Sequence, residues 1–242
     1  MGSRNIYANK VNQTEYLKYI LQKNINTMIG DKLKYYTVYK KVTDALRVEL
    51  NDLMKSGSKF CISIGGESGC GKSSLAYAVH KDIEDQTGLK GFLFHGDDYF
   101  KLPPKDNHNA RVLNINQVGV DEIDLAAIDE HILKFKNNEK VIIKPLVDYS
   151  KNHIGTEVID ASIYDFCIVE GAYISLLKNP DYKIFMTLTY LDTKKNRLKR
   201  ARDVMDDFNE QVLKIEHLII KEHDELSNMV IDNKLNIKTF KK

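Results

Sequence analysis

Apolar positions change their period at about residue 58 of this chain. Over residues 14–28, Leu17, Ile20, Leu21, Ile25 and Met28 recur at helical spacing and share one face. A second stripe, Val38, Val42, Leu46, Leu50 and Leu53, predicts a helix over residues 31–55, with Asp31 after Gly30 as its N-cap. Ser56-Gly57-Ser58 ends this helical stretch. Short apolar runs then alternate with helical patterns. Strands are expected at 59–64, 91–95, 141–145, 164–169 and 182–191. Helices are expected at 72–83, at 125–135, from about 193 and at 211–226, and Pro103-Pro104 predicts a loop. Strands alternating with helices imply an α/β fold whose mainly parallel sheet is covered on both faces. Ligands of such sheets sit at the carboxyl ends of the strands. The expected organisation is an N-terminal helical extension over 1–57 and one domain over 58–242.

Composition narrows the class without naming it. The 242 residues carry a net charge of +2, with 43% hydrophobic and 29% charged residues, an ordinary balance for a globular protein. Neither nucleic acid nor a membrane is expected as a partner. The N-terminus lacks a signal-like apolar core, and Ile6 stands where myristoylation wants Ser or Thr. Cys61, Cys70 and Cys167 are too few and too scattered for a disulfide framework or zinc site. A cytoplasmic protein is expected, with the N-terminal helices as a candidate oligomer contact.

The most specific motif is Gly66-Glu67-Ser68-Gly69-Cys70-Gly71-Lys72-Ser73, followed by Ser74. It matches G-x-x-x-x-G-K-[ST] between an expected strand and an expected helix. Glycines let backbone N–H groups turn inward around a phosphate, and the helix N-terminus adds partial positive charge. Lys72 is expected to reach the β- and γ-phosphates of ATP, and Ser73 to ligate Mg²⁺. Cys70 reads as a small residue at a variable position of this loop.

Acidic groups fall at the ends of two further strands. Asp97 follows the run ending at His95, where a carboxylate can take the proton of an acceptor hydroxyl. Glu170 follows Phe166-Cys167-Ile168-Val169, where it can hold Mg²⁺ directly or through water. Arg197, Lys199, Arg200 and Arg202 crowd one short helix. Arginines placed there can neutralise charge on a transferring phosphoryl group.

Together these residues resemble the uridine kinase and phosphoribulokinase group of P-loop kinases, from about 59 to 236. The P-loop carries the resemblance first. The group's strand-end aspartate with an aromatic segment matches Asp97, Tyr99 and Phe100. Its Asn-x-x-x-x-Asp-x-x-Asp stretch matches Asn116, Asp121 and Asp124. Its Pro-x-x-Asp-aromatic segment matches Pro145, Asp148 and Tyr149, and its Glu-Gly strand end matches Glu170-Gly171. The Arg-rich lid resembles the stretch from Arg197 to Asp203. The resemblance implies a three-layer P-loop kinase-like fold, ATP and Mg²⁺ as cofactors, Asp97 as catalytic base and Glu170 as metal ligand. It implies Lys72, Arg200 and Arg202 as catalytic cations. The acceptor residues it implies are Asp97, Tyr99, Phe100, Asp121, Asp148 and Tyr149, with His153 nearby.

The departures fall at one end. Val118 stands where uridine kinases place a ribose-binding aspartate, Val147 where they place a tyrosine, and Asn152 where they place a base-contacting histidine, with His153 one residue late. The expected function is therefore ATP-dependent phosphorylation of a small-molecule hydroxyl with altered nucleoside contacts. A genuine uridine or cytidine kinase is the alternative. A GTPase would need a guanine-reading Asn-Lys-x-Asp, which Asn233-Lys234-Leu235-Asn236 does not supply. A non-catalytic ATP-binding module would lack the base or the metal ligand.

Overall fold

A computed structural model describes residues 37–200 and 206–240. The helix expected over 14–28 and lid residue Arg202 lie outside these residues. A 3-10 turn, Thr37–Tyr39, leads into α1 (Lys40–Glu49), and after Leu50 the chain continues as α2 (Asn51–Lys55). The expected long helix is therefore broken. Val42, Leu46 and Leu50 are buried, whereas Val38 faces solvent.

The core is a six-stranded sheet in the order β2–β5–β1–β6–β7–β8. Its strands are β1 (Phe60–Gly66), β2 (Gly91–His95), β5 (Phe166–Gly171), β6 (Tyr182–Met186), β7 (Met229–Ile231) and β8 (Ile237–Thr239). All pairings are parallel except β7 with β8. β1, β2 and β5 are buried throughout, which is why they read as continuous apolar runs and not as alternating ones.

Alternate residues of these strands feed two separate cores, as the two-residue period of a strand requires. Ile62, Ile64, Ile168 and Ile184 pack with α1 and with Leu75, Val79 and Ile83 of α3 (Lys72–Thr87). Cys61, Cys167, Val169 and Phe185 pack on the other face with Ile128, Ile132 and Phe135 of α5 (Leu125–Lys136). Cys61 and Cys167 are fully buried free thiols. Leu46 is 1% exposed within the first core, so its truncation to Ala costs about 2–5 kcal/mol.

Three elements differ from the sequence-based expectation. Pro103-Pro104 does not end in an open loop. Pro104 starts α4 (Pro104–Leu113), the position where a missing N–H costs nothing. A two-stranded antiparallel hairpin, β3 (Val141–Asp148) with β4 (His153–Asp160), stands apart from the main sheet. Its Ile142–Ile159 pair points into the second core, while the neighbouring Ile143–Val158 pair faces solvent. Third, the strand expected over 182–191 stops at Met186, and the basic helix α6 (Tyr190–Arg200) begins at Tyr190 instead of near 193. It is followed by α7 (Asp207–Ile220). Among the described residues, no helix is long and apolar enough to cross a membrane.

Candidate functional site

The loop joining β1 to α3 is held in the shape the motif demands. Gly69 has φ +79°, and a Cβ there would lie 2.9 Å from Arg197 Cγ. Gly71, the residue before α3, has φ +102°, and a Cβ there would lie 2.7 Å from the Tyr39 hydroxyl. Only glycine meets both the backbone angle and the close approach. Lys72 Nζ donates to the Glu67 carbonyl at 2.9 Å, so its charge is curled over the loop. Burial pushes the Cys70 thiol up, against the pull of Lys72; this favours the filler reading over a reactive thiol.

Three strand ends converge beside this loop. Parallel registry sets His95 opposite Glu170, and Ile64 opposite Glu170 on the other side. His95 Nδ1 and Glu170 Oε1 are 2.9 Å apart and both side chains are buried. Burial alone would raise the Glu170 carboxyl. The His95 bond and charge, then Lys72 and the Ser73 hydroxyl, outweigh it and hold Glu170 below the usual carboxylate range. Burial likewise opposes charge on His95, but Glu170 and Asp98 raise its pKa. Glu170 therefore stays an anion near the Ser73 hydroxyl, a pair of oxygen donors suited to Mg²⁺ arriving with a nucleotide.

Asp97 lies in a 3-10 turn, Gly96–Tyr99, directly past β2. Burial and the Glu170 charge push its carboxyl up to about 6, against Lys72 and His95. A carboxylate titrating close to neutrality is tuned for accepting a proton. Its neighbour Asp98 has a different task. Asp98 Oδ2 takes Lys144 Nζ at 2.6 Å and Oδ1 takes the Val147 N–H at 3.0 Å, which ties the turn to the hairpin.

The acceptor candidates divide. Phe100 is half-buried and bridges to Ile123. Asp121, Tyr149 and His153 are exposed. Tyr99 is 2% exposed, and its hydroxyl lies 2.9 Å from His131 Nδ1 in the second core. Asp148 is engaged locally. Its Oδ1 accepts the Ser150 N–H and hydroxyl and the Lys151 N–H, and these contacts with the Lys151 charge lower it to about 2. Asp124 caps α5 through the Ala127 N–H. Asn152 bonds Lys105 and Asp106 of α4. Val118 and Val147 are buried.

Several contacts that the motifs did not foresee tie the P-loop to α6 and α7. Glu67 Oε1 is 2.7 Å from His217 Nδ1 of α7, and its Oε2 accepts the Tyr190 N–H at 2.6 Å. The Thr193 hydroxyl donates to the Ser68 carbonyl, and Arg197 donates to the Thr193 hydroxyl and the Tyr190 carbonyl. The base of the Arg-rich helix is thus stapled to the P-loop through Arg197, whose Nη2 also lies 3.7 Å from Glu210 Oε1 of α7. Lys199 and Arg200 belong to α6, but their side chains lie outside the description. His95 carried a usable signal, a polar residue at a strand end two before Asp97. Glu67 and His217 are 150 residues apart and carried none.

No protein-family model and no curated protein matches the sequence. Solved structures do match in shape. The chain is similar to a candidate fructose transport system kinase from Silicibacter sp. TM1040, with TM-score 0.56 and 15% identity over 79% of this chain and 95% of that one. It is similar to D-glycerate 3-kinase from Cryptococcus neoformans, with TM-score 0.57 and 14% identity over 86% and 100%. Phosphoribulokinase from Rhodobacter spheroides gives TM-score 0.57 and 14% identity over 73% and 70%. The fold is that of P-loop kinases. At these identities the likeness is one of fold, and the chemistry rests on the residues described above.

Proposed function

We propose that this protein is a kinase that transfers the γ-phosphoryl group of ATP to a hydroxyl of a small molecule. The observation that carries the reading is the convergence of Lys72, Ser73, Asp97 and Glu170 at the ends of β1, β2 and β5. Mg-ATP supplies the phosphoryl group and a cation that offsets its charge. The P-loop amides hold the phosphates and Lys72 turns from the Glu67 carbonyl toward them. Ser73 and Glu170 hold the metal side, and Asp97 takes the proton of the acceptor hydroxyl. Arg200 and Arg202 are the proposed lid cations, with Arg197 bracing the helix that carries them.

The acceptor is proposed to be other than uridine or cytidine. Val118 and Val147 are buried apolar residues, and Asn152 is spent on Lys105 and Asp106. The location is proposed to be cytoplasmic, with no nucleic acid or membrane partner. Residues 1–57 are proposed as an extension that serves homo-oligomer contacts and 58–242 as the kinase domain, although α1 shares a core with β1 and α3.

The test is ADP formation from Mg-ATP, and from Mg-GTP in parallel, across nucleosides, sugars, polyols and vitamin precursors. Acceptor-dependent turnover that prefers ATP and disappears in Lys72→Ala is expected. Guanine preference, or turnover that ignores the acceptor, would replace this reading with a nucleotide-hydrolysing switch.

A further inference from the structure

One end of the P-loop is covered by α6 and α7. Glu67 Oε2 accepts the Tyr190 N–H of α6 at 2.6 Å, and Glu67 Oε1 lies 2.7 Å from His217 Nδ1 of α7. A carboxylate only accepts, so the His217 nitrogen carries the hydrogen. The next residue, Ser68, accepts the Thr193 hydroxyl on its carbonyl at 2.9 Å. A Cβ on Gly69 would lie 2.9 Å from Arg197 Cγ and 3.2 Å from Thr193 Cβ. Three successive loop residues therefore meet these helices. Glu67 and Thr193 are 5% and 0% exposed, and the Tyr190 and His217 rings lie 5.7 Å apart.

Lys72 decides which end of the loop this is. Its Nζ sits 2.9 Å from the Glu67 carbonyl, and this cation serves the β- and γ-phosphates of a bound nucleotide. Residues 67–69 are therefore the γ-phosphate end of the cradle. The P-loop pattern leaves position 67 open, and an anionic side chain in a loop that binds anions is electrostatically adverse. Its two N–H partners offset that cost. The Glu67 carboxylate is thus explained by what it holds, the start of α6 and the middle of α7, and not by phosphate binding.

We infer that Glu67 and His217 are positioning residues, whose clasp sets α6 against the γ-phosphate end of the P-loop so that the site holds ATP more tightly than ADP. The inference rests on the kinase reading. It gives the Glu67 side chain a task and adds His217, and neither touches a reacting atom. Arg200, proposed above as a cation for the transferring group, belongs to the same helix. Breaking the clasp leaves the backbone cradle in place but frees the start of α6, so the loss falls on the γ-phosphate.

Calorimetry tests this without an acceptor. It reads the affinities of Mg-ADP and of Mg-bound β,γ-imido ATP, which carries a γ-phosphate but is not turned over. The wild-type chain is expected to prefer the triphosphate. His217→Ala is expected to cut that preference about tenfold, the worth of one charge-assisted hydrogen bond, with Mg-ADP affinity unchanged. His217→Asn places an amide N–H where Nδ1 stood and should restore the preference. In a Glu67→Ala background His217→Ala should change nothing further, because His217 acts through Glu67. Should His217→Ala fail to fold, Glu67→Gln, which can accept only one of the two N–H groups, is read in the same way. Equal loss of both nucleotides, an unchanged preference, or no preference in the wild-type chain overturns the inference and leaves the kinase reading standing. So does a His217→Asn variant no better than His217→Ala, or a further loss in the double variant. Failure of the wild-type chain to bind either nucleotide overturns the kinase reading itself.

Discussion

The phosphate end and the acceptor end of this site are built on opposite plans. The phosphate end comes from one contiguous stretch, Gly66 to Ser73, whose backbone angles and close approaches admit little but glycine at Gly69 and Gly71. The acceptor candidates come instead from separate segments, the turn Gly96–Tyr99, the turn Val120–Glu122 and the hairpin. A cradle made of backbone is fixed by spacing and survives sequence change around it. A wall made of side chains from distant segments can be rebuilt one residue at a time. The two ends should therefore respond differently to substitution.

The largest effect is expected at Asp97, where the two ends meet. Asp97→Asn should lower kcat by about 10²–10⁴-fold, the usual worth of a positioned base, with Mg-ATP affinity nearly unchanged. The wild-type rate should also carry an acid limb. Asp97 works ionised and its carboxyl is raised to about 6, so kcat/KM should climb with pH up to about 6 and level off above it. Asp97→Asn should lose that limb. A wild-type profile flat from pH 5 to 8 would remove Asp97 from the base role.

The same contrast explains what the sequence made legible. The P-loop, Asp97 and Glu170 were readable because strand, glycine spacing and acid follow one another locally. Cys61 and Cys167 were readable as core because their strands are apolar throughout. The bond of the Tyr99 hydroxyl to His131 was not readable, because its partner lies 32 residues later. The bonds of Arg111 to Glu122 and Glu216, which tie α4 to α7, were not readable because they join residues up to 105 apart. Helix α4 was missed because paired prolines signal a loop unless the second one starts a helix.

At the metal side, Glu170→Gln should shift the Mg²⁺ dependence of the rate upward by about tenfold, since the variant exchanges an anionic ligand for a neutral one. An unchanged Mg²⁺ titration would assign Glu170 to structure only. At the hairpin, Lys144→Met leaves Asp98 buried without its cation. Stability should fall by about 3–5 kcal/mol, read by urea unfolding, and a loss under 1 kcal/mol would show that the Val147 N–H suffices to hold the turn.

The smallest effect is expected at Asp148, despite its place in the family-like segment. Its carboxylate is engaged with Ser150 and Lys151 in an exposed turn, so Asp148→Asn should change acceptor kcat/KM by less than about threefold, within the scatter of a surface substitution. A tenfold loss would return Asp148 to the acceptor set. Uridine should be a poor substrate for the same structural reason, the buried Val118 and Val147. A uridine kcat/KM above about 10⁴ M⁻¹s⁻¹ would show that the rebuilt wall still reads a nucleoside.

The central claim is that Lys72, Ser73, Asp97 and Glu170 act together to move a phosphoryl group from ATP onto a hydroxyl. The direct measurement is transfer of γ-labelled phosphate from Mg-ATP to the best acceptor, comparing the wild-type chain with Asp97→Asn. The account predicts a labelled phosphate ester from the wild-type chain and almost none from the variant, although both bind Mg-ATP equally. Label recovered only as free phosphate, at the same rate from both proteins, would contradict it.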